Sequence, residues 1–406
     1  MNTYYFIARR LNNSKSFSSI VSTIAIISIA LGLATILGAF AILIGFQENI
    51  QNKLFSFSGH ILVTQRSLNN SYEETPISIN TNLYKNYDKI SSINHLQAVA
   101  QKAGILKTEE EVLGVVFKGV GQDYDWDLFK DNLIEGEFFK LPSKGYSQEI
   151  IISKMVADKL RLSLGDSVVM FFVQDPPRLR KLKIKGIYQT GMEEFDEKFI
   201  LGDINLVRRL NNWADTLAGS YEIYVKDFAQ LDSVGAIQVW EAMGYDMGLE
   251  TITSQGRHLD IFDWLNLLNK NVNIFLVLIL IVAGFNMTSI LLIMIMERIK
   301  MIGILKALGA TNWQIRQIFI FKGMFLILKG MGWGNLIGLG FCAVQYYLQI
   351  IPLDAENYYM NTVPIEWNWP VILAMNLLVF TIISLILLIP TYIISRIQPV
   401  KTIRFD

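Results

Sequence analysis

Hydrophobic positions in this chain gather into four long runs instead of recurring at the spacing of a soluble helix or strand. The first extends from Phe17 to Phe46 and the second from Val272 to Met296, both without a charge. The third covers about Phe325 to Ile351, with Lys329 near its start, and the fourth covers Val371 to Ile394, interrupted by Pro390. A helix needs roughly 20 apolar residues to cross a hydrocarbon core, so each run predicts a membrane span. A proline is tolerated there because neighbouring groups can satisfy the freed carbonyl. The first run is longer than the apolar segment of a signal peptide and lacks an A-x-A site, so it reads as an uncleaved anchor.

The resulting division is 1–16 cytoplasmic, 17–46 span one, 47–269 an external domain and 270–296 span two. A loop at 297–316, span three at 317–351, an outer loop at 352–370, span four at 371–394 and a tail at 395–406 complete it. Inside 47–269 the pattern mixes periods of 2 and 3.6. Strands are predicted at Ile61–Gln65, Val112–Phe117, Ser167–Val173, Lys181–Tyr188 and Tyr221–Val225. Helices are predicted at Lys154–Leu162, Asp203–Asn211 and Leu231–Met243. The expected fold class is an α-helical membrane protein with four transmembrane helices plus a large extracytoplasmic α+β domain inserted between spans one and two.

Charge orients this arrangement. Arg9, Arg10 and Lys15 precede span one, and Arg298, Lys300, Lys306 and Arg316 separate spans two and three. Arg396, Lys401 and Arg404 follow span four, whereas the loop before it is acidic, with Asp354, Glu356 and Glu366. Lys and Arg collect on the cytoplasmic side, so both termini are expected inside and 47–269 outside. That segment holds 31 of the 36 acidic and 23 of the 36 basic residues. Zero net charge argues against nucleic acid as a partner. The single cysteine, Cys342, excludes a disulfide framework and a cysteine-based metal cage.

Three segments carry candidate chemistry. Gln174, Asp175, Pro176, Pro177, Arg178, Leu179 and Arg180 join two predicted strands. Adjacent prolines cannot donate to a ladder, so this is either a stiff finger that recruits a partner or an ordinary solvated edge loop. After span two, Met301, Ile304, Leu305 and Leu308 fall on one helical face, flanked by Glu297, Arg298 and Lys306 and closed by Gly309 and Ala310. This amphipathic helix either lies on headgroups or inserts into a cytoplasmic partner's groove. Gly330, Gly334 and Gly338 in span three, and Ala30, Ala34 and Gly38 in span one, form small-residue stripes for close helix pairing, within the chain or across a dimer. Asn335 is expected to hydrogen-bond between helices. The Asp123, Asp125, Asp127 triplet lacks the glycine and terminal glutamate of a calcium loop and reads as turn chemistry.

No G-x-x-x-x-G-K-[ST], H-E-x-x-H or G-x-S-x-G motif occurs, and the spans carry no carboxylate for a proton relay. No catalytic residue, metal site or cofactor is assigned, and any work on a substrate must be powered by another subunit.

The topology, Tyr5–Leu11, Ile187–Asp196, the E-x-x-x-x-I-x-x-L-K-x-x-G-A loop from Glu297 to Ala310 and the closing Pro399-Val400 together carry a resemblance. The chain resembles FtsX/MacB-like permeases of ABC transporters across nearly its whole length, and most of all the LolC/LolE lipoprotein-releasing branch. The resemblance implies that 297–311 is a coupling helix seated in a separate ATPase subunit. It implies that 174–180 is the hook for a periplasmic lipoprotein chaperone, although the tip here is shorter. It implies a second permease copy or paralogue, acylated lipoprotein as cargo, and the inner membrane of a Gram-negative-type bacterium. The rival readings are an FtsX-like transmitter that activates a cell-wall hydrolase and a MacB-like efflux permease.

Overall fold

In the computed structural model, residues 17–67, 72–142, 144–228, 231, 234–244, 246–354 and 358–396 are described. The 1–16 segment, with Arg9, Arg10, Lys15 and the Tyr5–Leu11 stretch, lies outside them. So do Glu356, Pro399, Val400, Lys401 and Arg404.

Four helices are long and apolar enough to cross a membrane. They are α1 (Phe17–Phe57), α2 (Leu259–Glu297), α4 (Asn312–Leu348) and α5 (Trp369–Thr391), with the short α3 (Ile299–Ala307) between α2 and α4. The 41 residues of α1 make about 60 Å of helix, twice the ~30 Å hydrocarbon thickness. Both α1 and α2 therefore continue well past their apolar runs, into polar stretches such as Gln47–Lys53 and Asp260–Lys270.

The described residues form two compact units. One contains the chain up to Glu48, Trp264–Leu353 and the chain from Asn361 onward; the other contains Asn49–Asp263 and a short stretch ending at Met360. In the helical unit, Ile29, Leu33 and Leu37 of α1 pack with Leu280, Met287 and Leu291 of α2, Ile327 of α4 and Val379, Ile383 and Leu387 of α5. Ile24, Leu31, Phe285, Leu336, Leu373 and Leu377 stay exposed on the outer faces. Helices that are apolar all round and still show such residues belong in lipid.

The second unit is built on a ten-stranded mixed sheet. Its strands are β1 (Ile61–Gln65), β2 (Ile93–Lys107), β3 (Val112–Val120), β4 (Leu133–Gly136), β5 (Glu149–Ser153), β6 (Ser167–Phe172), β7 (Arg178–Tyr188), β8 (Phe199–Asp203), β9 (Ser220–Val225) and β10 (Leu249–Thr253). The order is β10-β1-β9-β2-β3-β8-β5-β7-β4, with β6 bridging β2 and β7. Most pairs are antiparallel, but β3 with β8 and β5 with β7 are parallel. Short helices such as Lys154–Leu160 and Ile204–Asn211 cover the sheet, each capped by a side chain, Ser153 or Asp203. The predicted strands at 61–65, 112–117 and 221–225 lie within observed strands. The sequence reading missed β2, β4, β5, β8 and β10.

Candidate functional site

The loop after α2 folds around a small apolar knot. Ile302 is fully buried with Ile295, Ile315, Phe319 and Ile394, and Met301, Leu305 and Ala310 pack against this cluster. Lys306 Nζ donates to the Ile394 carbonyl at 2.8 Å. α3 ends where Gly309 adopts φ +90, a conformation that favours glycine, and Ala310 N–H closes onto the Leu305 carbonyl. A capping box then starts α4: Thr311 Oγ1 accepts from Gln314 N–H, and Gln314 Oε1 accepts from Thr311 N–H. The predicted apolar stripe is thereby split. Met301 and Leu305 turn towards the protein's own helices, while Ile304 (54% exposed) and Leu308 (79%) face outward, joined by Trp313 (59%). Sequence reasoning missed Trp313, although the T-x-x-Q capping pattern would have placed it on the first turn of α4. Glu297 is exposed and Arg298 half-buried, at the junction of α2 and α3.

The hairpin of β6 and β7 is longer than the sequence suggested. Phe172 pairs with Arg178, Phe171 with Leu179 and Met170 with Arg180. Arg178, Leu179 and Arg180 are therefore ladder residues, and the turn proper is Val173–Pro177. The proline pair removes donors only at the turn, so the ladder resumes at once behind it. Asp175, Pro176 and Pro177 are exposed and Gln174 half-buried. Val173 and Leu179 offer exposed apolar side chains. Arg178 Nη1 donates to the Arg209 carbonyl at 3.0 Å, which ties one arm of the hairpin to the Ile204–Asn211 helix.

The two small-residue stripes meet each other. A Cβ on Gly330 would lie 2.8 Å from Ile29 Cβ, one on Gly334 2.9 Å from the Ala30 carbonyl oxygen, and one on Gly338 2.9 Å from Ala34 Cα. α1 and α4 thus touch backbone to backbone within one chain, with Gly38 facing Phe341 at a wider gap. Between Gly334 and Gly338, Asn335 of α4 exchanges amide hydrogen bonds of 2.7 and 3.0 Å with Asn376 of α5.

The sheet unit holds a buried charge cluster that the sequence did not reveal. Lys118 Nζ sits 2.7 Å from Glu222 Oε1, with both side chains 1% exposed. The same ammonium donates to the Phe57 carbonyl at the end of α1. Burial pushes the Lys118 pKa down, and Glu222 pulls it back up. Arg257, two residues before the start of α2 and with its pKa also lowered by burial, donates to the Gly59 carbonyl. The aspartate triplet is spent on backbone: Asp123 Oδ2 accepts from Ala98 N–H and Tyr84 OH, and Asp125 Oδ1 accepts from Asp127 N–H.

Residues 22–237 match the family described as MacB-like periplasmic core domain, and residues 273–399 match FtsX-like permease C-terminal. The chain belongs to the FtsX/MacB-like permease family. Among curated proteins, this permease is 22% identical to the lipoprotein-releasing system transmembrane protein LolC of Neisseria meningitidis, over 98% of this chain and 97% of that one. It is 22% identical to LolC of Buchnera aphidicola subsp. Schizaphis graminum, over 89% and 88%. It is 21% identical to LolE of Haemophilus influenzae, over 99% of each chain. The sheet unit of this permease is its periplasmic core domain, inserted between the first and second of four membrane helices.

Proposed function

We propose that this permease is the membrane subunit of an ABC-type lipoprotein-releasing complex in the inner membrane, with both termini cytoplasmic. It would draw acylated lipoproteins out of the bilayer and hand them to a periplasmic chaperone. The observation that carries this reading is end-to-end similarity to LolC and LolE proteins, spans and inserted domain together. Physical chemistry supports the division of labour. Each buried acyl CH₂ holds cargo in the bilayer by about 0.8 kcal/mol, so extraction needs an energy source, and the sequence has no phosphate loop. A separate ATPase subunit supplies it through the 297–311 loop, where Ile304 and Leu308 stand exposed and Trp313 follows, also exposed, on the first turn of α4. The β6–β7 turn at 173–177, with Leu179 beside it, is the hook. The permease works with a second copy or a paralogue.

Depletion of the protein should leave mature lipoproteins in the inner membrane, as read by membrane fractionation. Normal sorting accompanied by division or wall defects would instead support the FtsX-like transmitter. Leu308→Asp should abolish copurification with the ATPase and leave membrane insertion unchanged; retained copurification would remove the coupling role from this face.

A further inference from the structure

The end of α4 and the start of α5 carry an exposed aromatic platform. Tyr347 is 79% and Trp369 63% exposed, with Tyr346 also exposed and Trp367 half-buried beside them. The rings form one run. Tyr347 meets Tyr346 edge-on at 5.2 Å between centroids, Tyr346 meets Trp367 at 6.4 Å, and Trp367 stacks on Trp369 at 5.9 Å. Gln345 gives the platform a rigid base. It is buried, and its amide donates to the Val363 carbonyl and accepts from Ile351 N–H, each at 3.0 Å. Val363 N–H closes the same turn onto the Ile351 carbonyl at 3.1 Å. Asn368 then caps α5 by accepting from Val371 N–H. A buried glutamine thus holds large rings fixed in the open.

The platform continues the lipid-facing surface. Next to it the outer faces of α4 and α5 are aliphatic, with Leu336, Ile337, Leu373 and Leu377 exposed. An apolar ring with an N–H or O–H at its edge suits the zone where hydrocarbon gives way to headgroups. The other end of the bundle repeats this chemistry. Tyr392, just past α5, is 61% exposed, and the Arg316 guanidinium lies 5.0 Å from its ring centroid. Thirty residues of α4 separate Arg316 from Tyr346, about 45 Å of helix. A bilayer with both headgroup layers is ~40–45 Å thick. Lys329, which faces out between the two ends, lies over the Phe325 ring at 4.7 Å, one turn nearer Tyr392, as a lysine reaching for the closer headgroups does. We infer that Tyr346, Tyr347, Trp367 and Trp369 are an anchor in one phospholipid headgroup layer, with Tyr392 and Arg316 in the other. The anchor sets the depth of α4 and α5 in the bilayer. It does so whichever leaflet each end occupies, so the inference stands apart from the lipoprotein-release reading.

The test uses the full-length protein in vesicles of phosphatidylethanolamine and phosphatidylglycerol. A nitroxide is placed on one introduced cysteine at a time, at Tyr347, Trp369, Leu336, Leu377 or Glu109, with Cys342→Ala as background. Depth is read from collision rates with oxygen and with a water-soluble nickel chelate. Labels at 336 and 377 should favour oxygen, as in hydrocarbon, and the label at exposed Glu109 of the periplasmic core domain should favour nickel. Labels at 347 and 369 should fall between them, at the phosphate level. Nickel access at 347 and 369 equal to that at 109, or burial equal to that at 336, would overturn the anchor. A second measurement asks whether the rings set the depth. In lipids with longer acyl chains the 336 label should keep its distance from the phosphates nearest the platform. Tyr347→Leu with Trp369→Leu should let that distance change by about two residues' rise, ~3 Å. Equal changes with and without the rings would also overturn the anchor.

Discussion

The helical unit and the sheet unit hold themselves together by opposite means. Between α1 and α4, contact depends on atoms that are missing: Gly330, Gly334 and Gly338 let the backbone of Ala30 and Ala34 come within van der Waals range. Lipid tails are as apolar as leucine, so little is gained by hiding one helix from them against another, and close fit with a few polar links decides the pairing. The sheet unit faces water and gathers an extended core, from Ile61 and Phe117 to Ile200, Tyr221 and Ile223. There burial itself drives folding, and the unit can tolerate a fully buried ion pair at its centre. The solvent around each unit thus determines which defect it can least withstand.

The largest expected effect tests the wet side of this contrast. Lys118→Ala should destabilise the periplasmic domain by about 3–5 kcal/mol, because Glu222 is left charged and dry. Lys118→Met with Glu222→Leu should recover most of that loss in urea titrations of the full protein in detergent. A double variant as unstable as the single one would mean that the Phe57 carbonyl, not Glu222, is the partner that matters. On the membrane side, Gly334→Leu should cost up to about 3 kcal/mol through overpacking against Ala30, visible as a lower melting midpoint. A midpoint equal to the parent would deny the α1–α4 seam. Asn335→Leu should cost only about 1 kcal/mol, the usual scale for such bonds between membrane helices, and Asn376→Leu added to it should cost little more.

In the parent protein, where two contributions oppose each other, the smallest expected effect concerns pH. His60, held neutral with a pKa near 4, favours the folded domain above pH 6.5, and that stability drains away as pH falls towards 4. Glu74 acts with the opposite sign. Its carboxyl, raised to about 7 by burial, keeps its proton when folded, so stability declines as pH rises from about 4.5 to 7. The two nearly offset each other in the parent. Glu74→Gln, which mimics the protonated form, should unmask a domain that gains stability steadily from pH 4 to 6.5. A flat profile in that variant would remove the His60 contribution.

Much of this was legible beforehand, for identifiable reasons. The spans were visible because lipid demands an unbroken apolar run, a signal no soluble element imitates. The glycine and alanine stripes were legible as spacing, but not as partners of each other. β2 was missed although it is the longest strand. Its sequence, with His95, Gln97, Ala98, Ala100, Gln101 and Gly104, lacks β-branched alternation, and only its central place between β9 and β3 makes it a strand. The predicted loop at 174–180 shrank to a turn because pairing with Phe171 and Phe172 extends β7 back to Arg178.

The sequence by itself determined that four helices are apolar enough to span a membrane and that an α+β domain is inserted between the first and second, because those features follow from local runs of residue type. The tertiary structure alone decided that α4 lies against α1, that Lys118 meets Glu222, and that Met301 and Leu305 turn inward while Ile304 and Leu308 face out. Contacts between residues a hundred or more positions apart depend on which surfaces can be buried together, and no local period along the chain records that choice.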